Sequence, residues 1–331
     1  MTTTPWRSTD RPSVDAWRST LSEAALQTIV DAAARLPLDP QRWSDDPSAV
    51  VDPVVGEAIA TLAARLWDGS GFFWLRGLPA DDADLLRRLF WVIGNNLGEP
   101  VMQNARGEIL SEVTDRFAGA DRGPDTRGYE SNDELRFHCD GGDSIGLCCV
   151  HAAPVGGENG LVSLSAIREE IAERHPEHLP VLERGYALYS RRESSPEGST
   201  GGRVNARRIP VFAPASRGST AWLNIRLAEL AAEMSGEPLA AEEQVALEQV
   251  EAIAERPDIK LTFRTEPGDV VWVNNLAVMH RRNRYVDDPD PARARRLYRM
   301  WLNRRGQHPV IPEHAALRTG IRGPAATIGI G

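Results

Sequence analysis

Short apolar runs closed off by glycine and proline constrain this chain more than any other feature. Residues 72–76, 145–151, 161–164, 260–264, 270–273 and 295–302 each have the length of a strand, and Gly69, Gly71, Pro154, Gly156, Gly157, Pro267 and Gly268 turn the chain around them. They do not alternate one for one with helices, so the βαβ repeat of a doubly wound sheet is missing. The expected class is mainly β with flanking helices (α+β), built as an antiparallel sandwich. Helical spacing occurs at 21–36, at 54–67, after a cap at Asp81 or Asp82, from a cap at Ser165 to about Arg174, and at 240–254. Residues 98–134 read as a strand and a long polar loop. Further strands are expected at 186–189, 208–212 and 222–225, with a Ser/Gly-rich loop whose residues 194–202 are placed to act as a lid.

The chain has 331 residues, enough for one large core, and it reads as a single domain over 1–331: a helical segment at 1–70, a strand-rich core at 71–304 and a tail at 305–331. With 38 basic against 47 acidic residues the net charge is −9, which disfavours nucleic acid as a partner. No apolar run reaches the roughly 18 residues of a membrane span, so a cytoplasmic protein with no membrane partner is expected. Monomer and homo-oligomer both stay open. Cys139, Cys148 and Cys149 lack CxxC spacing and read as reduced thiols.

Within this frame, Phe137-His138-Cys139-Asp140 carries the chemistry. On a strand, His138 and Asp140 point to one face and Cys139 to the other, so the pair can hold a divalent metal. Alone, such a pair is more often two ordinary polar residues. A third ligand changes that balance. His175 and His178 lie in a charged run, His308 and His314 in the proline-rich tail, and His151 ends an apolar strand. His280 instead follows Pro267-Gly268-Asp269 and the run through Asn274-Asn275, which deliver it to an interior rim. Two histidines and a carboxylate on one side of a metal are the arrangement of non-haem Fe(II) oxygenases. In Arg295-Arg296-Leu297-Tyr298-Arg299, alternation puts Arg295 and Arg299 on one face, where an inward guanidinium needs an anion.

The ordered set Phe-His-x-Asp, Gly156-Gly157-Glu158, Pro-Gly-Asp with Asn-Asn and His280, then Arg-Arg-Leu-Tyr-Arg-Met-Trp-Leu, resembles the taurine dioxygenase (TauD/TfdA-like) family of Fe(II)- and 2-oxoglutarate-dependent oxygenases. The resemblance runs from about Gly71 to Arg304 and takes in Gly71-Phe72-Phe73, Arg76-Gly77-Leu78 and Gln103-Asn104 before Gly107-Glu108. It implies a double-stranded β-helix (jelly-roll, cupin-like) catalytic core. It also implies iron on His138, Asp140 and His280, and Fe(II), 2-oxoglutarate and O2 as cofactor and cosubstrates. The distal carboxylate of 2-oxoglutarate would lie on Arg295, with Arg299 turned to the same pocket and Asn159 where the family usually has Thr or Ser. Succinate and CO2 would leave, and an unactivated C–H bond would be hydroxylated or desaturated; Asp140 stands where halogenating relatives have a small residue. The expected substrate is a small molecule with a carboxylate, such as an amino acid or derivative. Its wall candidates are Gln103, Asn104, Tyr129, Arg191, Arg192, Asn224, Arg226 and Arg299. Two other readings compete: a catalytically inactive jelly roll that binds an acidic metabolite or partner protein, and a zinc hydrolase, ranked lowest for want of a nearby general base.

Overall fold

The computed structural model describes residues 3–116, 128–190, 203–205, 207–214, 216, 219–306, 309–321 and 325–329. The first part of the chain gives β1 (Arg18–Ser19), α1 (Glu23–Ala34), α2 (Pro53–Ala58), α3 (Ala60–Asp68), β2 (Phe72–Leu75), α4 (Ala83–Leu97), β3 (Glu99–Val101) and β4 (Glu108–Val113). Next come β5 (Leu135–His138), β6 (Ser144–His151), β7 (Val155–Gly156), β8 (Asn159–Ser163), α5 (Leu164–Arg174), α6 (Leu179–Arg184), β9 (Tyr189–Ser190) and β10 (Arg203–Val204). The remainder forms α7 (Ile225–Ser235), α8 (Ala241–Ala254), β11 (Leu261–Phe263), β12 (Val270–Asn274), β13 (Val278–Arg282), β14 (Tyr285–Val286), β15 (Arg296–Asn303), α9 (Pro312–Ala315) and β16 (Thr327–Ile328).

Two sheets face each other. The larger runs β1-β2-β12-β6-β15-β4-β16 with β3 also on β15, and the smaller runs β11-β8-β13-β5. Strand alternation sorts the side chains into layers. Phe73, Leu75, Val270, Trp272, Tyr298, Met300 and Leu302 leave the outer face of the large sheet and pack under α1–α4. Their sequence neighbours Phe72, Trp74, Val271, Val273 and Trp301 turn inward to Leu161, Leu261, Phe263 and Val278 of the small sheet. The small sheet's outer face, with Phe137, Val162 and Met279, is covered by α5–α8. This is the expected helix-flanked jelly roll, and part of the cluster between the sheets, Ile145, Leu161, Val271, Val273 and Trp301, lines the cavity described below.

Local differences from the sequence expectations have identifiable causes. The helix expected over 54–67 breaks at Ile59, which leaves helical geometry at φ −107°, ψ 10°. Ser163, not Ser165, caps α5, because its hydroxyl accepts from the Ala166 amide. Residues 186–189 and 208–212 do not form a ladder; they meet only at the bridge Tyr186–Ile209. Nor is 222–225 a strand: Asn224 caps α7 by accepting from the Leu227 amide, so the polar cap outweighs the apolar run before it. Residues 98–134 hold two strands, β3 and β4, where one was expected. The segment 305–331 is more than a tail, since α9 packs on the body and β16 pairs in parallel with β4. The expected lid at 194–202 lies outside the described residues.

Candidate active site

The strands that meet between the sheets determine which side chains face the interior. His280 of β13 lies opposite His138 of β5 in antiparallel register, and their rings stand 4.3 Å apart. β5 ends at His138, so Asp140 lies just beyond the strand rather than on it. It still turns to the same side: its Oδ1 is 3.8 Å from His138 Nε2 and its Oδ2 is 3.9 Å from His280 Nε2. One ion with bonds of about 2.1 Å can bridge such spans. Cys139 points the other way, into the helix-covered layer, where burial pushes its thiol up to about 12.

Electrostatics and support suit a metal. Burial, with His138 beside it, pushes the His280 imidazole down to about 3, so the ring is neutral and its lone pair is available. His138 Nδ1 lies 2.8 Å from the Arg136 carbonyl, which can only accept, so Nδ1 carries the proton and Nε2 is left to ligate. The loop holding Asp140 is fixed by Asn275, whose Oδ1 accepts from the Asp140 amide and whose Nδ2 donates to the Gly141 carbonyl, and by Trp222 Nε1 donating to the Asp140 carbonyl. Further along that loop the buried Asp143 carboxylate takes two bonds from Arg318, at 2.6 and 2.8 Å. The donor set therefore fits one divalent ion held on a single face.

Around these three residues opens a cavity of about 930 Å³. Arg295, Arg299, Asn159, Tyr129, Asn224 and Arg226 all line it. Arg295 is buried, which depresses its pKa, and its Nη1 has no hydrogen-bond partner. Asn159 donates to Thr265 Oγ1 at 3.4 Å, and the left-handed Gly156-Gly157 turn before it is crossed by the Arg284 carbonyl so closely that no Cβ fits at Gly156. Arg299 sits 3.8 Å from the Tyr129 ring centroid.

Gln103 and Asn104, expected in the pocket wall, are outside the lining. Gln103 accepts from Arg299 Nε at 2.6 Å and returns a bond to the Arg299 carbonyl, so it acts by holding that arginine. Asn104 is taken by Glu108 at 2.6 Å. Arg191 and Arg192 lie outside the described residues. Sequence reasoning passed over Arg282, which lines the cavity two residues after His280 on the same strand face; extending the alternation from His280 finds it. The bracing by Arg318 had no local signal. Another grouping, His175, Glu177 and His178, lies at the end of α5, outside the cavity lining.

The family model described as taurine catabolism dioxygenase TauD, TfdA family matches residues 37–301. The FR-33289 synthase of Streptomyces rubellomurinus (strain ATCC 31215) is 28% identical over 304 residues, spanning 90% of this chain and 88% of that protein. Among solved structures, an asparagine oxygenase in complex with Fe(II), 2S,3S-3-hydroxyasparagine and succinate superposes with TM-score 0.62 at 18% identity, covering 86% of this chain and 93% of that one. The non-heme iron oxygenase OrfP, in complex with Fe, succinate and (3S)-hydroxy-L-Arg, gives TM-score 0.61 at 15% identity, covering 86% and 93%. No helix among the described residues is long and apolar enough to cross a membrane.

Proposed function

Because the chain belongs to the TauD, TfdA family and is an Fe(II)- and 2-oxoglutarate-dependent oxygenase, we propose that it hydroxylates or desaturates an unactivated C–H bond of an amino acid or another small carboxylate-bearing molecule. The observation that carries this reading is the convergence of His138, Asp140 and His280 in one wall of a cavity that also receives buried arginines. In it, those three residues hold the iron, and Arg295 with Asn159 receives the distal carboxylate of 2-oxoglutarate. With O2, the bound iron and 2-oxoglutarate supply the oxidising power, the cosubstrate leaving as succinate and CO2 while the substrate C–H bond is oxidised.

The chain's own side chains account for placement. A neutral His280 accepts the ion without first releasing a proton. Arg299, near enough to His280 to help depress its pKa, supplies a fixed positive charge beside the metal and suits a carboxylate there. Tyr129 beside it and Asn224, bridged to His138 elsewhere in the lining, are the substrate contacts, with Arg226 further out among exposed charges. The amino-acid products held by the asparagine oxygenase and OrfP support this choice of substrate class.

The test is an anaerobic titration of the Fe(II) protein with 2-oxoglutarate, followed by amino acids and small acids, read by the charge-transfer absorption. A compound that perturbs the band should then drive succinate formation in air. A His138→Ala protein that still coupled 2-oxoglutarate turnover to substrate oxidation would sink the reading.

A further inference from the structure

Arg282 stands apart from the cations at the cavity's mouth. It is 5% exposed, and its Nη2 donates to the carbonyls of Ser131, at 2.8 Å, of Asp133 and, at 3.5 Å, of Gly128, while Nε and Nη1 have no partner. The Asp133 carboxylate is turned instead to Arg284, at 3.2 Å. On β13, Arg282 projects from the same face as His280, and the residue directly opposite it on β8 is Asn159. Arg295 lies near enough for its charge to act on Arg282. Both guanidinium groups lie over the ring of Tyr285, at 4.9 and 4.8 Å from its centroid, and Arg295 also leaves Nη1 without a partner.

Two buried like charges near one ring repel each other, and their unused N–H donors carry an uncompensated loss of hydration. One anion between them removes both costs. A carboxylate offers about four lone-pair positions, more than one arginine edge occupies. We propose that Arg282 is a second arm of the receptor for the distal carboxylate of 2-oxoglutarate, closing on it together with Arg295 and opposite Asn159. This rests on the cosubstrate reading given above for Arg295. The three carbonyls on Nη2 hold the guanidinium in place, so that its remaining edge is presented to the ligand already oriented.

The experiment compares two keto acids on the Fe(II)-loaded protein without oxygen: 2-oxoglutarate, and 2-oxopentanoate, which carries a methyl group in place of the distal carboxylate. Arg282→Gln keeps an N–H donor for Ser131 and Asp133 but removes the charge. It should weaken 2-oxoglutarate by about 10–100-fold and change 2-oxopentanoate by no more than about 2-fold. Fe(II) affinity and thermal midpoint are measured alongside. If Arg282→Gln does not fold, Arg282→Lys takes its place, with a loss of about 5–10-fold confined to 2-oxoglutarate. Equal weakening of both acids, or no weakening of either, overturns the second arm and leaves the function reading standing. A wild-type protein that binds 2-oxoglutarate no better than 2-oxopentanoate overturns the cosubstrate reading itself.

Discussion

The deep end of the cavity and its mouth carry similar numbers of arginines and use them in opposite ways. At the mouth, Arg136 meets Glu229 and Glu251, Arg207 meets Glu313 and Arg226 meets Glu233, all with their charges answered inside the protein. At the deep end, Arg282 and Arg295 are almost wholly buried and keep N–H donors with no protein acceptor. Paired surface charges are solvated and contribute little to binding, whereas buried cations without a counter-ion are tolerated where a ligand supplies it. On the reading proposed above, the deep end is the binding end for anions. The scaffolding differs only in part: Arg282 stands on β13 and Arg295 just before β15, whereas Arg226 stands on the first turn of α7 and Arg207 in no helix or strand, with Arg136 on β5 as the exception.

The strongest way to break this contrast is at the ligands. His280→Ala should abolish Fe(II) binding and coupled succinate formation, a larger loss than the about 10–100-fold expected for a residue that only supports a ligand. Metal analysis and a succinate assay check it. Arg295→Ala should cost about 3 kcal/mol of 2-oxoglutarate binding, roughly a 150-fold rise in Kd, because the cosubstrate's carboxylate then lacks its main partner.

A paired charge away from the cavity should move stability instead. Glu170 is buried; burial opposes its ionisation, but hydrogen bonds from Arg256 and Arg7 prevail and hold its carboxyl below the usual 4.5. With the folded pKa depressed, its contribution is complete above about 4.5 and is lost as pH falls through the lower folded value. Glu170→Gln should cost about 2 kcal/mol at pH 7 and flatten the acid limb of the denaturation curve, with 2-oxoglutarate affinity unchanged. Smallest of all, Arg226→Ala should alter stability by less than about 1 kcal/mol, and substrate KM by less than about 3-fold. A large KM effect there would show that the mouth also binds through its charges.

The same contrast explains how far the sequence could be read. The sandwich follows from runs such as 270–273, where strict alternation puts Trp272 under the helices and Val271 and Val273 between the sheets. The convergence of His138, Asp140 and His280 was legible for a related reason: His-x-Asp and His280 occupy a strand end and a strand, where period-two geometry dictates direction. Residues 208–225 were not legible, because isolated bridges and an asparagine cap decide that region, and apolar content says nothing about either. Gln103 was assigned to the wall from its position in a motif, but its amide faces Arg299, a partner 196 residues away. Tertiary pairing of that kind leaves no local trace. The expected roles of Arg191 and Arg192 fall outside the described residues.

The strand order also sets a schedule for synthesis. β6 is flanked in the large sheet by β12 and β15, and β5 pairs with β13, so the strands around His138 and Asp140 emerge from the ribosome long before their neighbours exist. Until residues 270–303 follow, those strands present open edges, and the loop that carries Asp140 lacks Asn275 and, for a further fifteen residues, Arg318. Such non-local pairing folds slowly and exposes edges to aggregation. The nascent chain carries two of its three proposed ligands with nothing to set their geometry, so the grouping of His138, Asp140 and His280 forms only after most of the chain is made, and slower elongation lengthens the period in which it is vulnerable.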